Sequence, residues 1–157
     1  MAIENALTKD RIKVGIVATD WRDLVDQVGE VMVAAGDVQP SYVEAMKKVI
    51  EEIGTYCVIA PGVVLLHARP EEGVNRVCLA IGTLQEGINF GCENDPVRLA
   101  IGLGAVDHEG HVELLRDVAL LLSDKAQLTA LLEAKTKEEL LEVVCSGQAS
   151  NESTAQL

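Results

Sequence analysis

The sequence predicts a single-domain α/β fold, an α/β sandwich in which a mixed β-sheet is flanked by helices. Two observations predict it. Helical periodicity fills the first and last thirds of the chain, whereas the middle third holds short runs rich in β-branched residues, separated by turn residues. Hydrophobic residues make up 48% of the 157 residues and aromatic residues only 3%, so Val, Leu, Ile and Ala must build the core. Such a core suits helices packed on a largely buried sheet.

The first third predicts a strand between helices. Residues 2–9 favour a short helix, and residues 12–18 alternate apolar and other side chains as a strand does. Asp20 is the predicted N-cap of a helix over residues 21–35, in which apolar residues recur at steps of three and four. Gly36 stands where a left-handed residue is favoured after a helix, so the helix is expected to end there.

A third helix and four strands are predicted next. Ser41 is the predicted N-cap of this helix, Glu44 completes a capping box, and Gly54 ends the helix. The runs that follow are rich in Val, Ile and Leu and are interrupted by Pro and Gly, which is typical of short strands joined by turns. The predicted strands are residues 56–60, 63–66, 76–84 and 97–105.

The last third returns to helical spacing. One helix is predicted over residues 111–122, and Ser123 is the predicted cap of a second helix that runs through Ala134. Thr136 and Glu139 form a capping box for a third helix. With these three, helices are expected on both sides of the strands along the chain, as the predicted fold class requires.

Composition and charge exclude several classes of protein. Lys and Arg number 13 against 25 Asp and Glu, which gives a formal net charge of −12 at pH 7 and argues against binding nucleic acid or an anionic membrane surface. No apolar run approaches the roughly 20 residues of a membrane span, and no signal-peptide pattern is present, so we expect a cytoplasmic protein. One domain is expected over residues 1–146, followed by a disordered polar tail over residues 147–157.

The four cysteines form no CxxC pair, so the sequence offers neither a zinc ribbon nor a thioredoxin-type redox motif. We expect them to be buried thiols in a reducing cytosol, where disulfides are rare. They are Cys57, Cys78, Cys92 and Cys145.

Two histidines are the candidate functional residues. His67 follows the apolar run VVLL, so it is expected where a strand leaves the sheet; the alternative is a histidine that ends the strand and bonds a nearby loop. His111 lies in DHEGHVELL at the predicted start of a helix, where unpaired amides and the helix dipole attract an anion. If the sheet brings the two imidazoles together, they suit phosphoryl transfer, because neutral imidazole is a good nucleophile near pH 7 and a second N–H stabilises phosphoryl charge.

A metal site is the rival interpretation of the same region. Asp107, His108 and His111 offer one carboxylate and two imidazoles within one helical turn, which would serve a metal-dependent hydrolase. The Glu of an HExxH motif is missing, and a cation at a helix start would oppose the helix dipole. The metal site is therefore the less favoured hypothesis.

Four stretches of the sequence carry a family resemblance that covers nearly the whole chain. They are YVEAM, GTYCVIAPGVVLLHARPEEGV, NFGCENDPV and DHEGHVELL. The chain resembles the enzyme IIA domain of the phosphoenolpyruvate-dependent sugar phosphotransferase system of the mannitol/fructose type. The fold that the resemblance implies, an α/β sandwich with a mixed sheet between helices, agrees with the fold class predicted above.

The resemblance implies a phosphocarrier. The residue that matches the phosphorylated histidine is His67, which would accept a phosphoryl group on its ε nitrogen from the phosphohistidine of the phosphocarrier protein HPr, while a backbone carbonyl holds the other ring N–H. His111 matches the partner that stabilises the phosphoryl oxygens. The phosphoryl group would pass to a cysteine of enzyme IIB, and the membrane enzyme IIC would move the sugar. No metal or organic cofactor is implied.

The chain departs from the family pattern at two positions. Leu66 stands where most relatives have Pro before the phosphorylated histidine, and we expect a buried strand to restrain the backbone instead. Val49 stands where many mannitol and fructose relatives have an active-site Arg, and Arg69 is the candidate phosphate-binding residue that partly replaces its charge. The ascorbate-like branch also lacks that Arg, so the resemblance favours an ascorbate- or pentitol-type unit.

The notable alternative within the same chemistry is a regulatory module that is phosphorylated on His67 but feeds no transporter. For a transport role, the donor must dock through a small apolar surface, to which Val63 and Val64 are expected to contribute if they are exposed near His67. The sequence leaves open whether the chain forms a homodimer.

Overall fold

A computed structural model describes residues 6–145 of the chain, in which a five-stranded mixed sheet lies between two helical layers. The strands are β1 (Ile12–Ile16), β2 (Val58–Ala60), β3 (Val63–Leu66), β4 (Cys78–Ile88) and β5 (Val97–Gly104). The helices are α1 (Trp21–Ala34), α2 (Pro40–Ile53), α3 (His108–Ser123), α4 (Lys125–Glu133) and α5, which covers residues 137–145. The predicted fold class is confirmed. Within residues 6–145, no helix is long and apolar enough to cross a membrane.

The strand order is β1-β4-β5-β3-β2, with parallel pairing of β1 to β4 and of β5 to β3, and antiparallel pairing elsewhere. Because β3 and β5 are parallel neighbours, their carboxyl ends meet at the same edge of the sheet. The chain segments that leave these two strands therefore begin side by side.

Alternation along β3 assigns its side chains to the two helical layers. Val64 and Leu66 pack with α1 and α2, whereas Val63 and Leu65 pack with α3, α4 and α5. Both faces of the sheet are buried, which explains why the strands read as continuous apolar runs. The same alternation directs the next odd-numbered side chain, that of His67, towards the α3 layer.

Three of the predicted helix signals are confirmed. The Asp20 carboxylate accepts the Asp23 N–H at 2.8 Å at the start of α1, and Gly36 adopts a positive φ of 78° just beyond its end. At the start of α5, the Thr136 hydroxyl accepts the Glu139 N–H at 3.1 Å. The Glu139 carboxylate accepts the Lys135 N–H, one residue earlier than a standard capping box predicts.

Two predicted caps are wrong. Pro40 starts α2 one residue before the predicted cap, and the Ser41 hydroxyl instead donates to the Glu72 carbonyl at 3.0 Å, which ties α2 to the loop after β3. Ser123 is the last residue of α3, and the Asp124 carboxylate caps α4 by accepting the N–H groups two and three residues on. In both cases a neighbouring residue has the backbone geometry that a cap needs.

Several predicted boundaries shift. The helix predicted from residue 111 begins at His108, and the strand predicted from residue 56 begins at Val58 because a 3₁₀ turn, Gly54–Cys57, precedes it. The helix predicted over residues 2–9 lies largely outside the described residues, where only Ala6 is helical and a 3₁₀ turn follows at Lys9–Arg11. The predicted tail, residues 147–157, also lies outside them.

The cysteines divide into two groups. Cys57 and Cys78 are buried, as expected, and burial raises the pKa of the Cys57 thiol to about 11 and that of the Cys78 thiol to about 12. Cys92 is half-buried, and the expectation of a buried thiol is wrong for Cys145, which lies on the solvent side at the end of α5.

Candidate functional site

The sheet edge at the carboxyl ends of β3 and β5 brings the two candidate histidines together. His67 follows β3 directly, and α3, which carries His111, follows β5 after three residues. The centroids of the two imidazole rings lie 5.4 Å apart, with the ring planes inclined by 39°. The predicted juxtaposition is thus present, and it depends on the parallel pairing of β3 with β5.

Both imidazoles face a cleft of about 330 Å³. One wall is the start of α3, and the other is formed by α2 and the loop after β3. The remaining lining residues are Val49, Ala68, Arg69, Pro70, Asp107 and His108. A larger cavity of about 620 Å³ lies between α4 and α5, but its lining contains no histidine or cysteine that could take up a phosphoryl group.

The surroundings of His67 favour its neutral imidazole. Burial lowers the pKa of its imidazole, and the nearby His111 lowers it further. Its Nδ1 is buried and has no hydrogen-bond partner within the part of the chain that the structure describes. Nε2 is therefore the ring nitrogen that is left to face the cleft.

The expectation that a backbone carbonyl holds the second ring N–H of His67 is wrong. Two carbonyls at this end of the sheet, those of Ala68 and Leu103, lie instead within hydrogen-bond distance of the Tyr42 hydroxyl, at 3.2 and 2.8 Å. The His67 tautomer that presents the Nε2 lone pair to the cleft is thus not fixed by any acceptor among the described residues.

His111 lies deeper in its helix than the sequence predicts. Asp107 is the N-cap of α3: its carboxylate accepts the Gly110 N–H at 2.7 Å, and its carbonyl accepts the His111 N–H at 3.2 Å. It is therefore the imidazole of His111, and not its amide, that is available to a group on His67. Of the first-turn amides, those of His108 and Glu109 are the ones that Asp107 does not use.

Positive charge reaches the cleft from the loop after β3. Arg69 is exposed and lines both this cleft and an adjoining cavity of about 260 Å³, which Lys48 of α2 also lines. Val49, which separates the two, presents an apolar wall. Sequence reasoning missed Lys48, because nothing in the spacing of α2 shows which of its residues turns towards the loop.

The described part of the chain gives no support to the metal-site hypothesis. No group of three or more His, Cys, Asp or Glu side chains among residues 6–145 is placed to hold a metal ion. The Asp107 carboxylate is turned towards the Gly110 N–H as a helix cap, and His108 is exposed to solvent beside it. The helical turn that carries these residues and His111 therefore does not gather them as ligands.

The backbone before His67 is restrained by the sheet. Leu66 is buried and pairs with Gly102 of β5, so the sheet restrains the backbone at this position, as expected. Val63 and Val64 are fully buried in the same strand, and the expectation that they contact a partner is wrong, because both faces of β3 are covered by helices.

Other apolar residues are exposed beside the site. Val106 precedes the N-cap of α3, and Val112 follows His111 in the helix; both are exposed. Val77 is also exposed and packs close to Gly110, where a Cβ would lie 3.3 Å from its methyl carbon. Val77, Val106 and Val112 thus lie next to the start of α3, and we call them the apolar rim.

Comparisons with known proteins identify the family of the chain. A family model described as "Phosphoenolpyruvate-dependent sugar phosphotransferase system, EIIA 2" matches residues 5–146. The "Ascorbate-specific PTS system EIIA component" of Salmonella typhi is 34% identical over 147 residues, which are 92% of this chain and 96% of the relative. Its counterpart from Escherichia coli K12 is 32% identical over the same shares of the two chains.

Two solved structures share the fold. The mannitol-specific cryptic phosphotransferase enzyme IIA CmtB from Escherichia coli is 28% identical, with a TM-score of 0.83 over 92% of this chain and 98% of that one. A complex of mannitol enzyme IIA with phosphorylated enzyme IIB, also from Escherichia coli, contains a chain 24% identical, with a TM-score of 0.79 over 89% and 97%. The chain therefore belongs to the EIIA 2 family of the phosphoenolpyruvate-dependent sugar phosphotransferase system and is a phosphotransferase component of that system.

Proposed function

We propose that this chain is a cytoplasmic phosphocarrier that accepts a phosphoryl group from the phosphohistidine of HPr onto Nε2 of His67 and passes it to a cysteine of enzyme IIB. The observation that carries the proposal is the 5.4 Å approach of the His67 and His111 rings in one cleft. Enzyme IIB would in turn phosphorylate the sugar that the membrane enzyme IIC moves.

The transfer is a single displacement at phosphorus. The Nε2 lone pair of His67 forms a bond to phosphorus as the bond to the donor imidazole breaks, and that electron pair returns to the donor. The pKa of His67 lies below its ordinary value, so the imidazole is neutral and nucleophilic near pH 7 without a separate base.

Charge on the phosphoryl oxygens is met by groups already in the cleft. A ring N–H of His111 is the principal donor, because its imidazole lies beside that of His67. Arg69 adds a guanidinium from the opposite wall, and the amides of His108 and Glu109 add the positive end of α3. The Asp107 carboxylate opposes them, which favours release of the phosphoryl group to the next carrier.

The apolar rim supports docking of the two partners. A transient interface needs an apolar centre with a polar border, and the exposed Val77, Val106 and Val112 lie next to the start of α3, the helix that carries His111. A protein of the same fold has been solved as a complex with phosphorylated enzyme IIB, which supports enzyme IIB as one partner.

Ascorbate, or a related pentitol-type substrate, is the proposed sugar. The curated relatives that are 32–34% identical along 92% of this chain are named ascorbate-specific. The mannitol-specific relative is less similar, at 28% identity. Growth of a deletion strain on a panel of sugars tests this assignment: loss of growth on ascorbate alone supports it, and unimpaired growth on ascorbate contradicts it.

The transfer itself is tested with purified proteins. Wild-type protein is incubated with phosphoenolpyruvate and the two general phosphotransfer proteins, and acid-labile phosphate is measured. We expect stoichiometric labelling of wild type, none of His67→Ala, and normal labelling of His108→Ala. Equal labelling of His67→Ala, or no labelling of wild type, would overturn the proposal.

A further inference from the structure

One buried hydroxyl next to the site belongs to none of the steps above. Tyr42 of α2 is fully buried, at 0% exposure. Its hydroxyl accepts the Ala68 N–H at 2.9 Å and donates to the Leu103 carbonyl at 2.8 Å, with the Ala68 carbonyl as a second acceptor at 3.2 Å. Ala68 directly follows His67, so the hydroxyl bonds the peptide unit that carries the proposed acceptor.

The hydroxyl stands where the backbone ladder of β3 and β5 stops. The last paired residues are Leu66 and Gly102, and the groups that Tyr42 bridges are the Ala68 N–H, two residues after Leu66, and the Leu103 carbonyl, one residue after Gly102. The Tyr42 hydroxyl oxygen lies between the Ala68 N–H and the Leu103 carbonyl, so two hydrogen bonds in series replace one direct N–H to C=O bond. The segments that follow β3 and β5 therefore move apart at this point. A buried backbone group would lack a partner there without the hydroxyl.

Tyr42 reaches this peptide from the core on the α1 and α2 side of the sheet. Its ring belongs to the core that α1 and α2 build on one face of the sheet, and Ala68 packs against the same core. The His67 ring contacts His111 of α3, on the other face. The hydroxyl therefore bonds the backbone from the α2 side of the sheet, whereas the His67 imidazole contacts His111 on the α3 side.

We propose that Tyr42 is a positioning residue for the phosphoryl acceptor, whose hydroxyl sets the direction of the His67 side chain and so keeps Nδ1 buried and Nε2 in the cleft. The inference rests on the proposed role of His67 as acceptor. A backbone held by Tyr42 explains how the His67 ring keeps its orientation although its Nδ1 has no hydrogen-bond partner among the described residues. Orientation then comes from the backbone and from packing against His111.

The hydroxyl keeps its proton under all working conditions. Burial is the main cause that raises the pKa of Tyr42 to about 12, against a smaller opposing effect of the Ala68 hydrogen bond. The donor bond to Leu103 therefore persists at any pH at which the transfer is measured. Tyr42→Phe removes the hydroxyl and retains the ring that packs in the core.

The test compares Tyr42→Phe with Tyr56→Phe, which removes the same atom from a residue that is 86% exposed. We expect Tyr42→Phe to lower kcat for phosphoryl acceptance roughly ten- to a hundredfold, because a displaced nucleophile loses attack geometry, while KM for the donor is unchanged. The ¹⁵N spectrum of the His67 ring should change in its Nδ1 and Nε2 shifts, with its pKa moving towards the ordinary value. Tyr56→Phe should match wild type in every respect.

A second variant separates positioning from stability. Ile50→Val trims a buried side chain in the same helix, and measurements are made well below the unfolding temperature of every variant. If Ile50→Val slows the transfer as much as Tyr42→Phe does, or if Tyr42→Phe retains the wild-type rate and His67 spectrum, the positioning role is wrong. A wild type that takes up no phosphate would refute the acceptor role instead, and the His67 spectrum would still test Tyr42.

The wild-type protein provides a readout that does not require the variant to fold. Ala68 lies outside every strand, yet its amide donates to the Tyr42 hydroxyl, so its hydrogen exchange should be slow. An Ala68 amide that exchanges as fast as the amide of exposed Arg69 would overturn the inference.

Discussion

The chemistry at the scale of the residue rests on the protonation of one imidazole. Protonated histidine has no lone pair for phosphorus, and burial together with His111 lowers the pKa of His67. Charging the ring in the cleft is unfavourable, so the neutral form extends to a more acidic pH than in an exposed histidine. In the proposed transfer, His67 therefore needs no separate general base to act as the nucleophile near pH 7.

The lowered pKa of His67 predicts how the rate of phosphoryl acceptance depends on pH. The rate of phosphoryl acceptance should stay constant as pH falls from 8 to about 6.5, the ordinary value for imidazole, and should decline only at more acidic pH. His111→Gln removes the imidazole that adds to the lowering of the pKa of His67, so this pKa should rise towards, but not reach, the ordinary value, because burial remains. NMR titration of the His67 ring measures both; a midpoint at or above the ordinary value in wild type contradicts the burial argument.

His111 should matter for the transition state more than for binding. His111→Ala removes one donor to the phosphoryl oxygens, and the loss of one such donor lowers kcat by about 10²–10³-fold in comparable sites. We expect the KM for the phosphorylated donor to change little. Steady-state transfer rates check this, with exposed His108→Ala as the matched imidazole control. A similar loss in both variants would assign the effect to the helix start and not to the imidazole of His111.

At the scale of the element, the start of α3 carries two opposing demands. Asp107 stabilises the helix by accepting the Gly110 N–H, yet its carboxylate lies in the cleft where a phosphoryl anion would sit. The capping residue therefore costs some affinity for the anion that the helix dipole attracts. Stability and phosphoryl binding are in this way linked through one side chain.

Substitutions at Asp107 separate the two demands. Asp107→Ala should lower the free energy of unfolding by about 1 kcal/mol through loss of the cap, which corresponds to a Tm lower by roughly 2–4 °C for a domain of this size. Asp107→Asn keeps an acceptor for the Gly110 N–H, so most of that stability should return, while the phosphorylated form becomes longer-lived. Thermal unfolding and the decay of the phosphoprotein test this; a Tm of Asp107→Ala equal to that of wild type would show that the cap contributes nothing.

Element-scale patterns also show what sequence can and cannot predict. Asp20 and Thr136 were identifiable because their partners lie three residues away, within the same local turn. The prediction failed for Ser41, whose hydroxyl bonds the carbonyl of Glu72, 31 residues away. His67 and His111 could be placed at a strand end and near a helix start, but their meeting depends on the pairing of β3 with β5, which local spacing does not encode.

The same limit applies to the residues that sequence reasoning missed. Tyr42 reads as one more apolar position on the buried face of a helix, and its hydroxyl gains meaning only when Ala68 and Leu103 are brought to it by the sheet. Val63 and Val64 were expected near a partner because they precede His67. Both are buried because helices cover both faces of the sheet, a consequence of the whole fold.

At the scale of the whole molecule, the proposed carrier must bind each partner quickly and then dissociate from it. A carrier that meets two proteins in turn needs a small interface around its reactive atom. The apolar rim of Val77, Val106 and Val112, next to the start of α3, is the surface that we propose for docking. The chain carries a formal net charge of −12 at pH 7, which would steer a basic donor towards it.

Two residues of α3 with the same exposure test the docking surface. Val112 and Leu120 are each 40% exposed, but Val112 adjoins His111 and Leu120 lies two turns further along the helix. Val112→Ser should raise KM for the donor several-fold with little change in kcat, because the substitution removes an apolar contact with the donor and leaves the groups that transfer the phosphoryl group unchanged. Leu120→Ser should leave both constants as in wild type. An equal effect of the two substitutions would place the docking surface elsewhere.

The central claim is that Nε2 of His67 receives the phosphoryl group, and the position of the phosphorus–nitrogen bond tests it most directly. Protein labelled with ¹⁵N-histidine is phosphorylated with phosphoenolpyruvate and the two general phosphotransfer proteins, and phosphorus–nitrogen coupling identifies the bonded atom. The account predicts a single phosphohistidine, at Nε2 of His67. Phosphate on Nδ1 of His67, or on His108 or His111, would contradict it.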